Sequence, residues 1–221
     1  AELAERAGRI TPQESLVNTA LGFLRLAQGR TREAIGLFKK AIEQDSTQGQ
    51  PHLGLGLAYF RLRMREEGLE ELSEAVLLEP KVSLNVSYLA KGLYDVGRRQ
   101  EALDALKEAE ALDPTPNLYK GIMLADLNRP GEAVQATRRS IELNDFRAVY
   151  RSRLLLDRDL AVKGVDLSRS FRALGLSDWA LSWATRSVAQ DPADSGARLF
   201  LASILLDTGF GATFGSQRCP A

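Results

Sequence analysis

The sequence predicts an all-α protein made of stacked antiparallel helix pairs, and three observations carry that prediction. First, between Leu55 and Pro80 the apolar residues form two short stripes at helical spacing: Leu55, Tyr59 and Leu62, then Gly68, Leu72, Ala75 and Val76. Second, the second stripe stops at Pro80, whose ring and missing amide hydrogen do not fit inside a continuing helix. Third, the pattern returns at a fixed interval. Ser46 and Pro80, Pro80 and Pro114, Ala41 and Ala75, and Ala75 and Ala109 are each 34 residues apart. A helix pair this short cannot bury its stripes alone, so neighbouring pairs have to stack on it.

Composition agrees. The 221 residues are 44% apolar and 26% charged, which suits a folded chain, and the periodicity favours an array over one large domain. The formal net charge is zero, so no global field draws the protein to nucleic acid or to an anionic membrane. The single cysteine, Cys219, excludes an intramolecular disulfide framework and a cysteine-based metal cluster. No apolar run approaches the roughly 20 residues that span a bilayer, and no charged-then-apolar leader opens the chain, so no direct membrane insertion is expected. The chain starts at Ala1 rather than methionine, which leaves room for a leader or domain upstream.

In order along the chain, residues 1–10 read as the tail of a preceding partial repeat, because Ala7 lies one period before Ala41 and Pro12 one period before Ser46. Thr11-Pro12-Gln13-Glu14 then reads as a capping box with proline at the first helical position. The first full repeat carries Leu21, Gly22, Gly29, Ala34, Phe38, Ala41 and Ile42, and the third carries Leu89, Ala90, Gly97, Ala102, Leu106, Ala109 and Pro114. Gly22, Gly56, Ala34, Ala75, Ala102 and Ala109 are expected to let helices approach closely, with Phe38, Leu72 and Leu106 filling the gap. The fourth repeat, Gly121 through Ile141 to Asp145, arrives three residues early; with Thr115-Pro116 as its cap, the shortening is expected at the start of its first helix. Residues 11–145 are therefore four repeats. The next match is Leu167, Phe171, Gly175, Ala180, Ala184, Val188 and Pro192, its proline 47 residues after Asp145, so some 13 residues are extra. They are expected as a helical insert over 146–160, followed by a fifth repeat over 161–192, a half repeat or capping helix over 193–208, and an irregular tail over 209–221.

The 34-residue period, with its Leu-Gly, Tyr, Gly, Ala, Phe, Ala and Pro slots, resembles the tetratricopeptide repeat (TPR) family. Departures are Arg25 in a tyrosine slot, Gly68 where alanine is usual and Arg63 where glycine is usual. The resemblance implies a right-handed superhelical solenoid that acts as a protein-protein interaction scaffold, with the first helices lining a concave groove. Carried over by position, the groove would comprise Thr19, Phe23 and Leu26; Leu53, Leu57 and Phe60; Ser87, Tyr88, Lys91, Tyr94 and Asp95; Tyr119, Ile122 and Asp126; and Arg169 and Arg172. Its aromatic residues are the expected anchors for a partner. The family's carboxylate clamp for chaperone tails is not supported, since Thr19, Phe23, Ser87 and Lys91 occupy the relevant positions. Residues 141–162 are also similar to a stretch in bacterial TPR proteins associated with the cell envelope, which leaves the compartment open between cytoplasm and periplasm or envelope.

No chemistry is expected. His52 is the single histidine and reads as a polar surface residue, with no nucleophile obliged to lie beside it. Asp157, Asp159 and Asp166 lack the glycine-centred calcium loop and any histidine-carboxylate pattern. Gly209, Gly211 and Gly215 follow no strand and precede no Lys-Ser/Thr pair, so they are no phosphate loop. Catalytic, metal and cofactor sites are thus expected to be absent. Charge is uneven: from Glu66 to Asp113 there are twelve acids against five bases, and from Phe146 to Arg172 seven bases against three acids. Arg147, Arg151, Arg153 and Arg158 form a candidate basic patch, but the stripe is not repeated in each unit, so nucleic acid is not an expected partner. Trp179 and Trp183, one turn apart, are expected to pack against the insert or the following helix. The leading expectation is an adaptor that holds a protein or peptide in its groove. The alternatives are a structural module that self-assembles into a homo-oligomer through incomplete terminal repeats, and a regulatory or targeting domain of a larger enzyme or envelope transport protein.

Overall fold

The structure is a computed structural model that describes residues 14–109, 113–145 and 153–207, with the backbone alone given for Glu108, Arg153, Leu154 and Leu155. Among the described residues there are eleven α-helices and no strand. They fall into two compact units that divide after Ala109. The first unit holds α1 (Ser15–Ala27), α2 (Thr31–Gln44), α3 (Gly49–Arg61), α4 (Arg65–Leu78), α5 (Ser83–Asp95) and α6 (Arg99–Ala109). The second holds α7 (Pro114–Asp126), α8 (Pro130–Glu142), α9 (Arg153–Ala173), α10 (Ser177–Gln190) and α11 (Ser195–Asp207). Within each unit, successive helices pack on one another as hairpins stacked side by side.

One turn recurs through both units and sets the hairpins. Gly29, Arg63, Gly97, Asn128 and Gly175 all have positive φ, and each follows the first helix of a pair. The amide after each reaches back to close the helix: Arg30 N to Arg25 O, Met64 N to Tyr59 O, Arg98 N to Leu93 O, Arg129 N to Leu124 O and Leu176 N to Phe171 O. These are Schellman closures, which need a left-handed residue just past the helix end. They lie 34 residues apart from Gly29 to Arg63 and from Arg63 to Gly97, and 47 apart from Asn128 to Gly175.

The packing of the first unit turns on small residues facing large ones. Phe38 is fully buried, and a Cβ added at Gly22 or Gly54 would come within 2.5 or 2.3 Å of its ring. In the next repeat Leu72 fills the same role, against Gly56 and Gly92. Gly68 is also explained: the ring of Phe60 lies where an alanine methyl would be, 2.6 Å from the position of an added Cβ.

Two expectations change. The cap of α7 is Asp113, whose carboxylate accepts from Thr115 N at 2.7 Å and Thr115 Oγ1 at 2.6 Å, and the helix starts at Pro114. It has 13 residues, as α1, α3 and α5 do, so the three-residue deficit falls between Arg99 and Pro114 and not at the start of α7. Downstream, α9 has 21 residues where α7 has 13. Residues 153–160 of the insert and the first helix of the fifth repeat are thus one continuous helix. The expected tail over 209–221, the partial repeat over 1–10 and residues 11–13 of the expected capping box lie outside the described residues; Glu14 is the N-cap of α1, without a side-chain cap bond.

Candidate functional site

In the first unit, Leu57, Phe60, Lys91 and Asp95 come together around a recess of about 480 Å³, completed by Arg61, Arg63 and Arg65. It is built by the last turn of α3, the turn after it, the first residue of α4 and the last half of α5. Leu57 and Phe60 are half-buried against the core cluster of Leu53, Leu72 and Ala75, so their exposed edges form an apolar floor. Around it, Lys91 Nζ contacts Asp95 Oδ2 at 3.1 Å, and Arg61 Nη1 donates to the carbonyl of Leu26.

The remaining groove candidates of this unit are divided between core and flank. Leu53 is 1% exposed, and Thr19 and Ser87 are buried, their hydroxyls donating to the carbonyls of Ser15 and Ser83 one turn back. Leu53 is therefore a core residue and not a groove contact, because α4 covers it through Leu72 and Ala75. Phe23 and Leu26 pack on the Ala34, Phe38 and Leu55 cluster, with Phe23 meeting Phe38 edge to face at 5.0 Å. Tyr88 packs on the Leu53 cluster, and Tyr94 is half-buried with the Arg99 guanidinium 5.9 Å above its ring.

In the second unit, Tyr119 is half-buried, Ile122 is 43% exposed and Asp126 is exposed, all on α7. Arg169 and Arg172 project from α9, but their charge is engaged with neighbours. Arg172 pairs with Asp207 and reaches Ser203 Oγ at 3.3 Å, while Arg169 pairs with Asp166 at 3.1 Å and lies 5.2 Å over Phe200. Both arginines thus fasten α11 to α9. Burial holds the Asp166 carboxyl above its ordinary value, with Arg169 opposing that shift. Of the candidate basic patch, Arg147, Arg151 and the side chain of Arg153 lie outside the described residues. Arg158 approaches Asp191 at 3.5 Å beside a recess of about 560 Å³ that Asp194 and Ser195 also line.

Residues considered for chemistry have structural contacts. His52 Nδ1 lies 2.7 Å from Glu71 Oε2 and braces α3 against α4, and Asp157 accepts from Gln190 Nε2 at 3.2 Å. Among the described residues, no group of three or more His, Cys, Asp or Glu could hold a metal ion, and no helix is long and apolar enough to cross a membrane. Trp183 packs with Leu181, Phe200 and Leu201 on the second unit's core. Trp179 is 53% exposed, its ring 5.4 Å from Phe171, and Arg138 lies over both rings. The recess arginines Arg61, Arg63 and Arg65 were not among the groove candidates. Their one signal in the sequence is Arg63 standing at a glycine position.

Comparison with known proteins agrees with the fold. A family model for the tetratricopeptide repeat matches residues 25–92. Among curated proteins none matches the sequence. Among solved structures, a chain of the Cut9-Hcn1 hetero-tetramer of the APC/C superposes with a TM-score of 0.75 at 16% identity, covering 93% of this chain and 39% of that one. The present chain therefore spans well under half of that relative's length. TTC0263, a thermophilic TPR protein of Thermus thermophilus, gives 0.69 at 22% identity over 87% of this chain and 99% of its own. Pseudomonas aeruginosa pilF gives 0.70 at 19% identity over 92% and 89%. Residues 25–92 match the tetratricopeptide repeat model, and the stacked helix hairpins within each unit have the tetratricopeptide repeat fold.

Proposed function

We infer that the protein is a non-catalytic interaction scaffold that takes a segment of a partner protein into the recess of its first unit. The observation that carries this reading is the apolar floor of Leu57 and Phe60, open beside the charged side chains of α5 and the turn after α3. A half-buried leucine and aromatic ring rimmed by charge can seat a partner's side chain and fix its orientation. A helix-hairpin stack supplies the rigid frame, and the hetero-tetramer to which a structural relative belongs is an instance of such a fold inside a protein assembly.

Leu57→Ser is the direct test, because it removes half of the floor while leaving Leu53, Leu72 and Ala75 in place. Peptides selected on the wild-type protein should bind this variant at least about tenfold more weakly, with helicity by circular dichroism unchanged. Equal affinity would remove the recess from the site. Phe60→Ala is a poor test, since the Phe60 ring also fills the space left by Gly68 and Gly92.

A further inference from the structure

The turn between α3 and α4 places its charge differently from its counterparts. In three of the other turns an arginine opens the second helix and is gripped by the glutamate three residues on: Arg30 with Glu33 at 2.7 Å, Arg98 with Glu101 at 2.8 Å, and Arg129 with Glu132 at 2.6 Å. The second repeat has Met64 there, and its arginines stand on either side, at 63 and 65. Among the described residues no carboxylate pairs with either one. Arg63 moreover occupies the left-handed position, at φ 67°, that glycine or asparagine takes in every other described turn of this kind. A long side chain kept in a strained conformation, with no partner of its own, points to a task outside the fold.

Both arginines line the recess already described. Counting Arg61 and Lys91, four cations and one carboxylate, Asp95, surround the floor of Leu57 and Phe60. We propose that this recess recognises an acidic linear segment of a partner protein, with an apolar side chain on Leu57 and Phe60 and adjacent carboxylates taken by Arg63 and Arg65. The proposal rests on the reading of the recess as a peptide site and adds the chemistry of the ligand. Guanidinium groups match carboxylates in planar, two-pronged hydrogen bonds, and unpaired surface cations steer acidic segments toward the contact. A single-stranded nucleic acid would want a charged track with open aromatic faces, whereas here the one aromatic ring is half-buried and a carboxylate stands in the rim.

The test is selection from a displayed library of random peptides on the wild-type protein, followed by titration of a resynthesised winner against Leu57→Ser, Arg63→Gly and Arg65→Gln. The selected pool should be enriched in Asp and Glu next to a large apolar residue. Arg63→Gly and Arg65→Gln should each weaken the winner about three- to tenfold and leave its Glu-to-Gln version unaffected. Arg63→Gly should also melt higher than wild type, which separates lost binding from lost folding. A pool that depends on Leu57 but shows no acidic enrichment overturns the proposal while leaving the recess as the site. An empty pool, or one indifferent to Leu57→Ser, overturns both. Tighter binding of a fluorescent oligothymidylate than of the winner assigns the cations to nucleic acid instead. A light-scattering mass that grows with concentration in wild type but not in Arg63→Gly makes a second copy of the chain the occupant. Either result sinks the acidic-peptide assignment.

Discussion

Arg63 is the residue at which local backbone preference and sequence disagree most. The left-handed conformation costs a residue with a Cβ about 1–2 kcal/mol, part of which glycine returns through the freedom it loses on folding. Arg63→Gly should therefore stabilise the protein by roughly 0.5–1 kcal/mol, read as a higher urea midpoint at unchanged slope. Gly54 is the opposite case, because its place depends on space and not on backbone angle. A methyl there would press within 2.3 Å of the fully buried Phe38 ring, and Gly54→Ala should cost about 1–3 kcal/mol. Adding Phe38→Leu to Gly54→Ala should recover some of that loss; if it recovers none, the contact is misassigned. Asp166 gives the second unit a pH dependence of unusual sign. Burial raises its folded pKa above the ordinary 3.8, so the folded state holds the proton more tightly than the unfolded chain does. Its contribution is fully present below the unfolded pKa and is lost as pH rises through the folded one. Asp45, held low by hydrogen bonds from Thr47 and Gln48, acts the other way and loses its contribution as pH falls. In Asp166→Asn the melting temperature should gain on wild type as pH rises above about 4, and a difference that stays constant with pH would contradict the assignment.

Among the elements, α9 departs furthest from the repeat pattern. Its extra N-terminal turns are pinned by a buried polar network: Lys163, 2% exposed, donates to Ser140 O at 3.1 Å and to Asn144 Oδ1 at 2.7 Å, while Asn144 Nδ2 donates to Leu156 O at 3.3 Å. These bonds tie the end of α8 to the middle of α9. Lysine is rarely so buried, and removing it leaves two acceptors with less hydrogen bonding in a dry site. Lys163→Ala should destabilise the protein by about 2–4 kcal/mol, measured by chemical denaturation. The arginine-glutamate pairs in the turns do much less, being exposed and screened by solvent. In the sequence, the 13 extra residues were legible but their shape was not. A run such as Leu154-Leu155-Leu156 has no helical period of its own that marks where an insert ends and a repeat helix begins.

Over the whole molecule, each hairpin is stabilised mainly by its neighbours, so protection should vary with the number of helices covering each element. Helix α11 has Leu199 and Leu206 more than 70% exposed and should exchange its amide hydrogens faster than α9 and α10. Equal protection would mean that something further covers it. The repeat length, the pairing of helices and the small-against-large slots such as Gly22 with Phe38 were readable in the sequence, because periodicity and residue volume are local properties. The groove was readable only as a set of first-helix positions. Tertiary structure decided that Leu53 is sealed by Leu72 and Ala75 while Leu57, one turn on, keeps an exposed edge. It also decided that Arg169 and Arg172 are committed to α11, and that Arg63 and Arg65 open onto a recess. The physical reason is that a helical period determines which face of a helix is apolar, whereas the share of that face left to a partner depends on side chains brought up from helices distant in the sequence.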